Sequence, residues 1–186
     1  MADFKLFWPL LSENEGYYAN DPADSGGETW RGISRNNYPG WSGWAIIDSY
    51  KKGSAFAGAH EANTLLKPDA TLEAKVIAFY KSSQWDVIQA DAMQNQSIAN
   101  FLADWGVNAG MSVPIKHVQR ILGLDVDGKV GPHTLAALNS ASGPDLFKKL
   151  QADREQFYMD VVTVHPDNRK FLTTWLKRNA SFSYQA

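Results

Sequence analysis

The 186-residue sequence predicts a mainly α-helical protein with one small β-hairpin near its N-terminus. Three observations carry that expectation. Apolar residues recur at helical spacing from about Thr71 onward, Gly, Pro, Asn, Asp and Ser crowd between Pro22 and Gly43, and Gly26-Gly27 stands between polar flanks as a turn joining two short strands. With 44% hydrophobic and 20% charged residues the chain is long enough for one compact core. We expect a single domain, 1–186, with two lobes: helix, hairpin and loop over 1–70, and helices over 71–186 that include a segment 97–140 with a character of its own.

In order along the chain, "FKLFWPLLSENEG" places Phe4, Phe7, Trp8 and Leu11 at helical spacing, and Pro9 fits if the regular helix begins near it. Glu15 then falls at the helix's C-terminal end, where the partial negative charge of the carbonyls favours the protonated carboxyl. The hairpin follows, and "NNYPGWSGWAIIDSYKKGSAFAGAH" reads as loop with at most short helical pieces. Past Pro68, "TLEAKVIAFY" turns Leu72, Val76, Ile77 and Tyr80 to one face behind Asp69 or Thr71 as cap. "QSIANFLADWGVNAG" repeats the pattern with Ile98, Phe101, Leu102 and Trp105 and stops at a glycine. "VPIKHVQRILGL" points Val118, Ile121 and Leu122 inward, and "GPHTLAALN" opens with Pro132 in a first turn, where its missing N–H is not needed. "GPDLFKKLQADREQFYMDVVTV" and "NRKFLTTWLKR" close the chain, the last through Phe171, Leu172, Trp175 and Leu176.

Composition narrows the function. A formal net charge of −2 offers no field to hold a phosphate backbone, so nucleic acid is not an expected partner. The absence of cysteine removes disulfides, thiol nucleophiles and cysteine zinc sites together. His60, His117, His133 and His165 are scattered without a metal-ligand spacing. "LDVDGKVG" carries Asp125, Asp127 and Gly128, but the twelfth position of a calcium loop would be Ala136 rather than Glu, so a turn between helices is the better account. No metal or cofactor is expected. No apolar run approaches a membrane span, and "MADFKLFWPLL" lacks a basic n-region and a cleavage site, so neither membrane insertion nor a signal peptide is expected.

The chemistry concentrates in "ENEGYYANDPADSGGETWRG". A glycosidic bond is cleaved by a carboxylic acid that protonates the leaving oxygen and a second group that places water or stabilises the cationic transition state. Glu15 at a helix end, Asp24 in the hairpin and Thr29 as holder of the water suit those roles, and an apolar cleft would keep the acid protonated. Duller readings stand beside each: a solvated carboxylate for Glu15, a turn cap for Asp24, a strand former for Thr29. Loop aromatics offer flat faces to sugar C–H groups. Tyr17, Trp30, Tyr38 and Trp41 are the candidates, Trp30 foremost, with Asn108 as a polar contact; Trp44 also sits in this region, while Trp8, Trp105 and Trp175 fit helical core stripes.

"EGYYANDPADSGGETWRGIS" resembles the Glu-Gly-Gly-Tyr signature of the glycoside hydrolase family 108 N-acetylmuramidases, with its Asn-Asp-Pro-x-Asp-x-Gly-Gly-x-Thr continuation. One departure is visible, Tyr17 in place of the second glycine. "DWGVNAGMSVPIKHVQRILGLDVDGKVGPHTLAAL" is similar to the peptidoglycan-binding segment that accompanies this family, and "FLTTWLKR" to its closing helix. The resemblance implies a lysozyme-like fold, cleavage of the β-1,4 bond between N-acetylmuramic acid and N-acetylglucosamine in bacterial peptidoglycan, and Glu15 as the catalytic acid. Two other functions compete with hydrolysis. A lytic transglycosylase would use Glu15 alone and leave anhydro ends, and a non-catalytic module would bind peptidoglycan without cutting it. We expect a monomer, made in the cytoplasm, that reaches the wall through a holin lesion or a secretion machine. A water held by Thr29 would favour inversion, which requires carboxyl groups about 6.5 to 9.5 Å apart rather than roughly 5 Å.

Overall fold

The computed structural model describes residues 1–12, 16–20 and 26–185, so Glu15 and Asp24 lie outside the described residues. The protein is mainly helical, with a small antiparallel sheet near the N-terminus. Its backbone contacts divide into two compact units, one of Lys5–Lys81 and one of Met1–Phe4 with Ser82–Ala186.

Helix α1 (Phe4–Ser12) turns Phe4, Phe7 and Leu11 inward, as their spacing predicts. The helix starts at Phe4 rather than near Pro9, which lies inside it. Pro9 is on the exposed face. There its missing N–H costs one helical bond and its ring does not meet the core.

The sheet has three strands where one hairpin was expected. Strand β1 (Ala19–Asn20) pairs with β2 (Glu28–Trp30), and β2 pairs with β3 (Ile33–Ser34). The turn between β2 and β3 is Arg31-Gly32, with φ of 49° and 76°. Two successive positive φ values define the mirror-image turn whose twist matches antiparallel strands. Arg31 adopts it although an L side chain disfavours that region, and Tyr80 Oη donates to the Arg31 carbonyl at 2.7 Å and pins the turn.

The stretch expected to be loop contains a full helix, α2 (Gly43–Lys51), and α3 (Ala59–Leu66) follows. Trp44 and Ile47 bury its inner face. Helix α2 is entered through Trp41, whose ring occupies the space a side chain on Gly43 would need: a Cβ there would stand 2.2 Å from the indole. Helix α4 (Ala70–Tyr80) is capped by Asp69, which accepts from Leu72 N–H at 2.8 Å, and buries Leu72, Val76 and Tyr80. A π-helical turn, Lys81–Trp85, continues it.

The second unit is organised about α5 (Gln96–Ala109), which is buried nearly all round, from Ser97 through Gly106 apart from Asn100. A helix with no polar face must be enclosed by others. Around it stand α6 (Ser112–Ile121), α7 (Pro132–Ser140), α8 (Gly143–Val164) and α9 (Arg169–Ser181). Val118 is fully buried, while Ile121, Leu122 and Leu135 are only half-buried. The "DVDG" loop closes by protein groups: Gln119 donates to Asp127 at 2.7 Å and to the Lys129 carbonyl at 3.0 Å, and accepts from Gly128 N–H.

Inside this unit Asp104 of α5 is fully buried. It takes Arg154 of α8 at 2.8 Å on one oxygen, and Arg178 of α9 at 2.7 and 2.9 Å on the other. Arg154, also fully buried, donates to Tyr158 Oη at 3.0 Å and lies over the Phe101 ring at 5.1 Å. Among the described residues no helix is long and apolar enough to cross a membrane. Asp104→Ala would leave Arg154 buried without its anion, and we expect a loss of about 3–5 kcal/mol in urea denaturation.

Candidate active site

The sheet pairing sets the geometry of the candidate site. In sequence, Glu15 precedes β1 and Asp24 lies between β1 and β2. The register Ala19↔Thr29 and Asn20↔Glu28 lays the chain that follows Glu15 beside the chain that follows Asp24. Thr29 is central, paired on its other side with Ser34, half-buried, and its hydroxyl donates to the Gly27 carbonyl at 3.3 Å.

The two strands are tied by charge. Glu28 is 7% exposed and accepts from Tyr18 Oη at 2.8 Å and Arg35 Nε at 2.6 Å, with Lys51 Nζ at 2.5 Å. Arg35 forks onto Asp48 at 2.7 and 3.1 Å and lies 4.4 Å from the Trp44 ring. Burying a carboxyl group is costly unless it is paired and hydrogen-bonded, and Glu28 has both. The Arg35 guanidinium in turn holds the Asp48 carboxyl below its ordinary value. Burial, and then the hydrogen bond to Glu28, push the Tyr18 phenol well above its ordinary value. A cavity of about 330 Å³ opens beside this cluster, with Tyr18, Asn20, Lys51 and Phe56 among its walls. Sequence reasoning missed Glu28, which stands between Gly27 and Thr29 and finds its partners Tyr18, Arg35 and Lys51 in other stretches of the chain.

The aromatic candidates separate. Trp30 is 2% exposed and covered by Tyr17, centroids 6.2 Å apart, so the foremost platform expected from the sequence is a core residue. Tyr17 and Tyr38 are each 43% exposed. Tyr38 meets Phe79 edge-on at 4.8 Å, and half-buried Trp41 meets Trp44 edge-on at 5.0 Å. Tyr17 is flanked by cations that sequence reasoning did not single out: Lys67 Nζ is 3.6 Å from its centroid and the Arg31 guanidinium 5.3 Å. Arg31 is steadied by Glu73 at 3.3 Å. Asn108 is exposed on α5 in the other compact unit. His117, one of the four scattered histidines, meets Asp153 at 2.5 Å. Among the described residues no group of three or more metal-ligating side chains converges.

Residues 9–110 match the family described as glycosyl hydrolase 108, and residues 113–180 match the one described as a predicted peptidoglycan domain. A glycosidase segment running into a peptidoglycan segment defines a peptidoglycan-degrading glycoside hydrolase. The first match spans more than half of the sequence, and the chain belongs to glycosyl hydrolase family 108. Its fold is similar to that of Brucella abortus SagA, at 20% identity and a TM-score of 0.61, covering 98% of this chain and 97% of that one. No curated protein matches it.

The upward shift of Tyr18 has a signed consequence. A folded-state value above the unfolded one contributes stability that is complete below about pH 10 and fades as pH rises past it. Tyr18→Phe is therefore expected to destabilise the protein by about 1–2 kcal/mol near neutral pH. The variant should also flatten the alkaline limb of the stability profile, read by urea denaturation across that range.

Proposed function

We propose that the protein is an N-acetylmuramidase that hydrolyses the β-1,4 bond between N-acetylmuramic acid and N-acetylglucosamine. Glu15 is the general acid, and Asp24 and Thr29 serve the attacking water. The observation that carries this reading is the β1–β2 register, which runs the chain after Glu15 beside Thr29 and the chain after Asp24. The Tyr18–Glu28 hydrogen bond fixes the two segments together. Membership of the glycosyl hydrolase 108 family supports the same chemistry.

In this reading the glycan lies along the exposed rings of Tyr17 and Tyr38 and the half-buried edge of Trp41, while Trp30 supports Tyr17 from below. Water held by Thr29 makes the reaction inverting. The enzyme acts as a monomer on wall peptidoglycan, which it reaches through a holin lesion or a secretion machine.

The test is turbidity clearing of purified peptidoglycan, with the soluble products read by mass spectrometry. Wild type is expected to clear the suspension and release reducing N-acetylmuramic acid ends. Glu15→Gln is expected to lose activity by about 10²–10⁴-fold. Anhydro ends would make the protein a lytic transglycosylase, and no clearing by either protein would make it a binding module.

A further inference from the structure

The Tyr17 ring stands two residues after Glu15 and is 43% exposed, yet its surroundings are already crowded. Lys67 Nζ lies 3.6 Å from the ring centroid, in contact with the π face, and so takes space that a stacked sugar would use. The Arg31 guanidinium is 5.3 Å from the same centroid and the Trp30 ring 6.2 Å. All of these residues belong to the Lys5–Lys81 unit.

Of the three neighbours, Lys67 is the one that can leave. Trp30 is 2% and Arg31 8% exposed. Arg31 is held by Glu73 at 3.3 Å, by the Trp8 ring at 5.7 Å and by the bond from Tyr80 Oη to its carbonyl. Lys67 is exposed, and among the described residues no carboxylate pairs with it. Its starting position is nevertheless set by the fold. Asn63 of α3 accepts from Tyr18 N–H through its side chain at 2.8 Å and from Lys67 N–H through its carbonyl at 3.1 Å. One residue thus ties the segment that carries Tyr17 to the backbone that carries Lys67. Two cations share the ring, and Glu73 answers only Arg31, so among the described residues the ring carries an excess positive charge.

We propose that Lys67 is a gate on the Tyr17 ring, opened by a carboxylate, that selects muramic acid over a neutral sugar. The inference rests on the muramidase reading, which lays the glycan over Tyr17. A neutral sugar must displace the ammonium from the ring and gives it no better partner. Muramic acid carries a lactyl arm with a carboxylate, either the lactate's own in peptide-free glycan or one on the attached stem peptide. A charge-assisted hydrogen bond to that carboxylate is stronger than an exposed contact with a ring, so the arm draws Lys67 aside and the sugar takes the vacated face. Specificity then comes from an obstacle that only the acidic sugar removes.

The test titrates the full-length protein, carrying Glu15→Gln so that bound glycan is not cut, with three soluble glycans by calorimetry. These are peptide-free strands, the same strands with the lactate carboxylate converted to its amide, and strands that keep their stem peptides. Lys67→Ala is expected to weaken binding of a carboxylate-bearing strand by about tenfold and to strengthen binding of the amidated strand by about twofold. Lys67→Arg is expected to keep the preference for the acid. A loss confined to peptide-free strands assigns the carboxylate to lactate, and one confined to peptide-bearing strands assigns it to the stem; both support the gate. Lys67 is exposed, and unchanged thermal melting will show that the variants fold. Parallel changes on all three glycans, an unaltered preference in Lys67→Ala, or no binding of any glycan would overturn the proposal. Failure of the muramidase reading appears separately, as absence of reducing ends from the wild type.

Discussion

A carboxylate with no water around it governs the helical unit. Asp104 lies in the middle of α5, a helix apolar on nearly every side, and the guanidinium groups of Arg154 and Arg178 reach it from α8 and α9. Geometry makes this arrangement specific. Arg178 approaches one oxygen with two N–H groups, Arg154 takes the other, and aromatic faces of Phe101 and Tyr158 cover the Arg154 cation. Apolar packing alone would let the helices slide along and rotate about one another. A buried ion triad fixes register, because any slip separates charges in a medium that cannot solvate them.

The smaller unit uses the same physics at its sheet. Strands of two and three residues are too short to hold by backbone bonds alone. Glu28 compensates by collecting Tyr18, Arg35 and Lys51 from three separate stretches of chain. Tyr18 is the tyrosine of the family signature, so the signature's last residue is anchored by a side chain outside its four letters. Tyr17, the departure from that signature, points the other way in its chemistry: it is exposed, beside two cations, and lies over Trp30.

What the sequence made legible was local. The α5 stripe of Ile98, Phe101, Leu102 and Trp105, the Asp69 cap of α4 and Pro132 in the first turn of α7 were readable because each is decided within a few residues. Helix α2 was hidden behind glycines and tryptophans that read as loop, since only the docking of Trp41 against Gly43 shows why a glycine opens that helix. The Arg31-Gly32 turn carried no signal, because arginine has no preference for positive φ and the bond from Tyr80 that holds it spans 49 positions. The Glu28 cluster and the His117–Asp153 pair are likewise non-local. Trp30 was misjudged for a related reason: a tryptophan among polar residues looks exposed until Tyr17 is placed over it.

The Asp104 triad also bears on how such a chain can be inherited. By sequence α5 belongs to the glycosidase segment, which ends at residue 110, whereas both arginines that neutralise its carboxylate are encoded within residues 113–180. A recombination break between the two segments would deliver an acid to one descendant and its guanidiniums to another. Each half would then carry charge without its counter-ion into an apolar interior. The peptidoglycan segment is thus a hereditary partner of the glycosidase segment, to be exchanged only together with it or with compensating changes at Asp104.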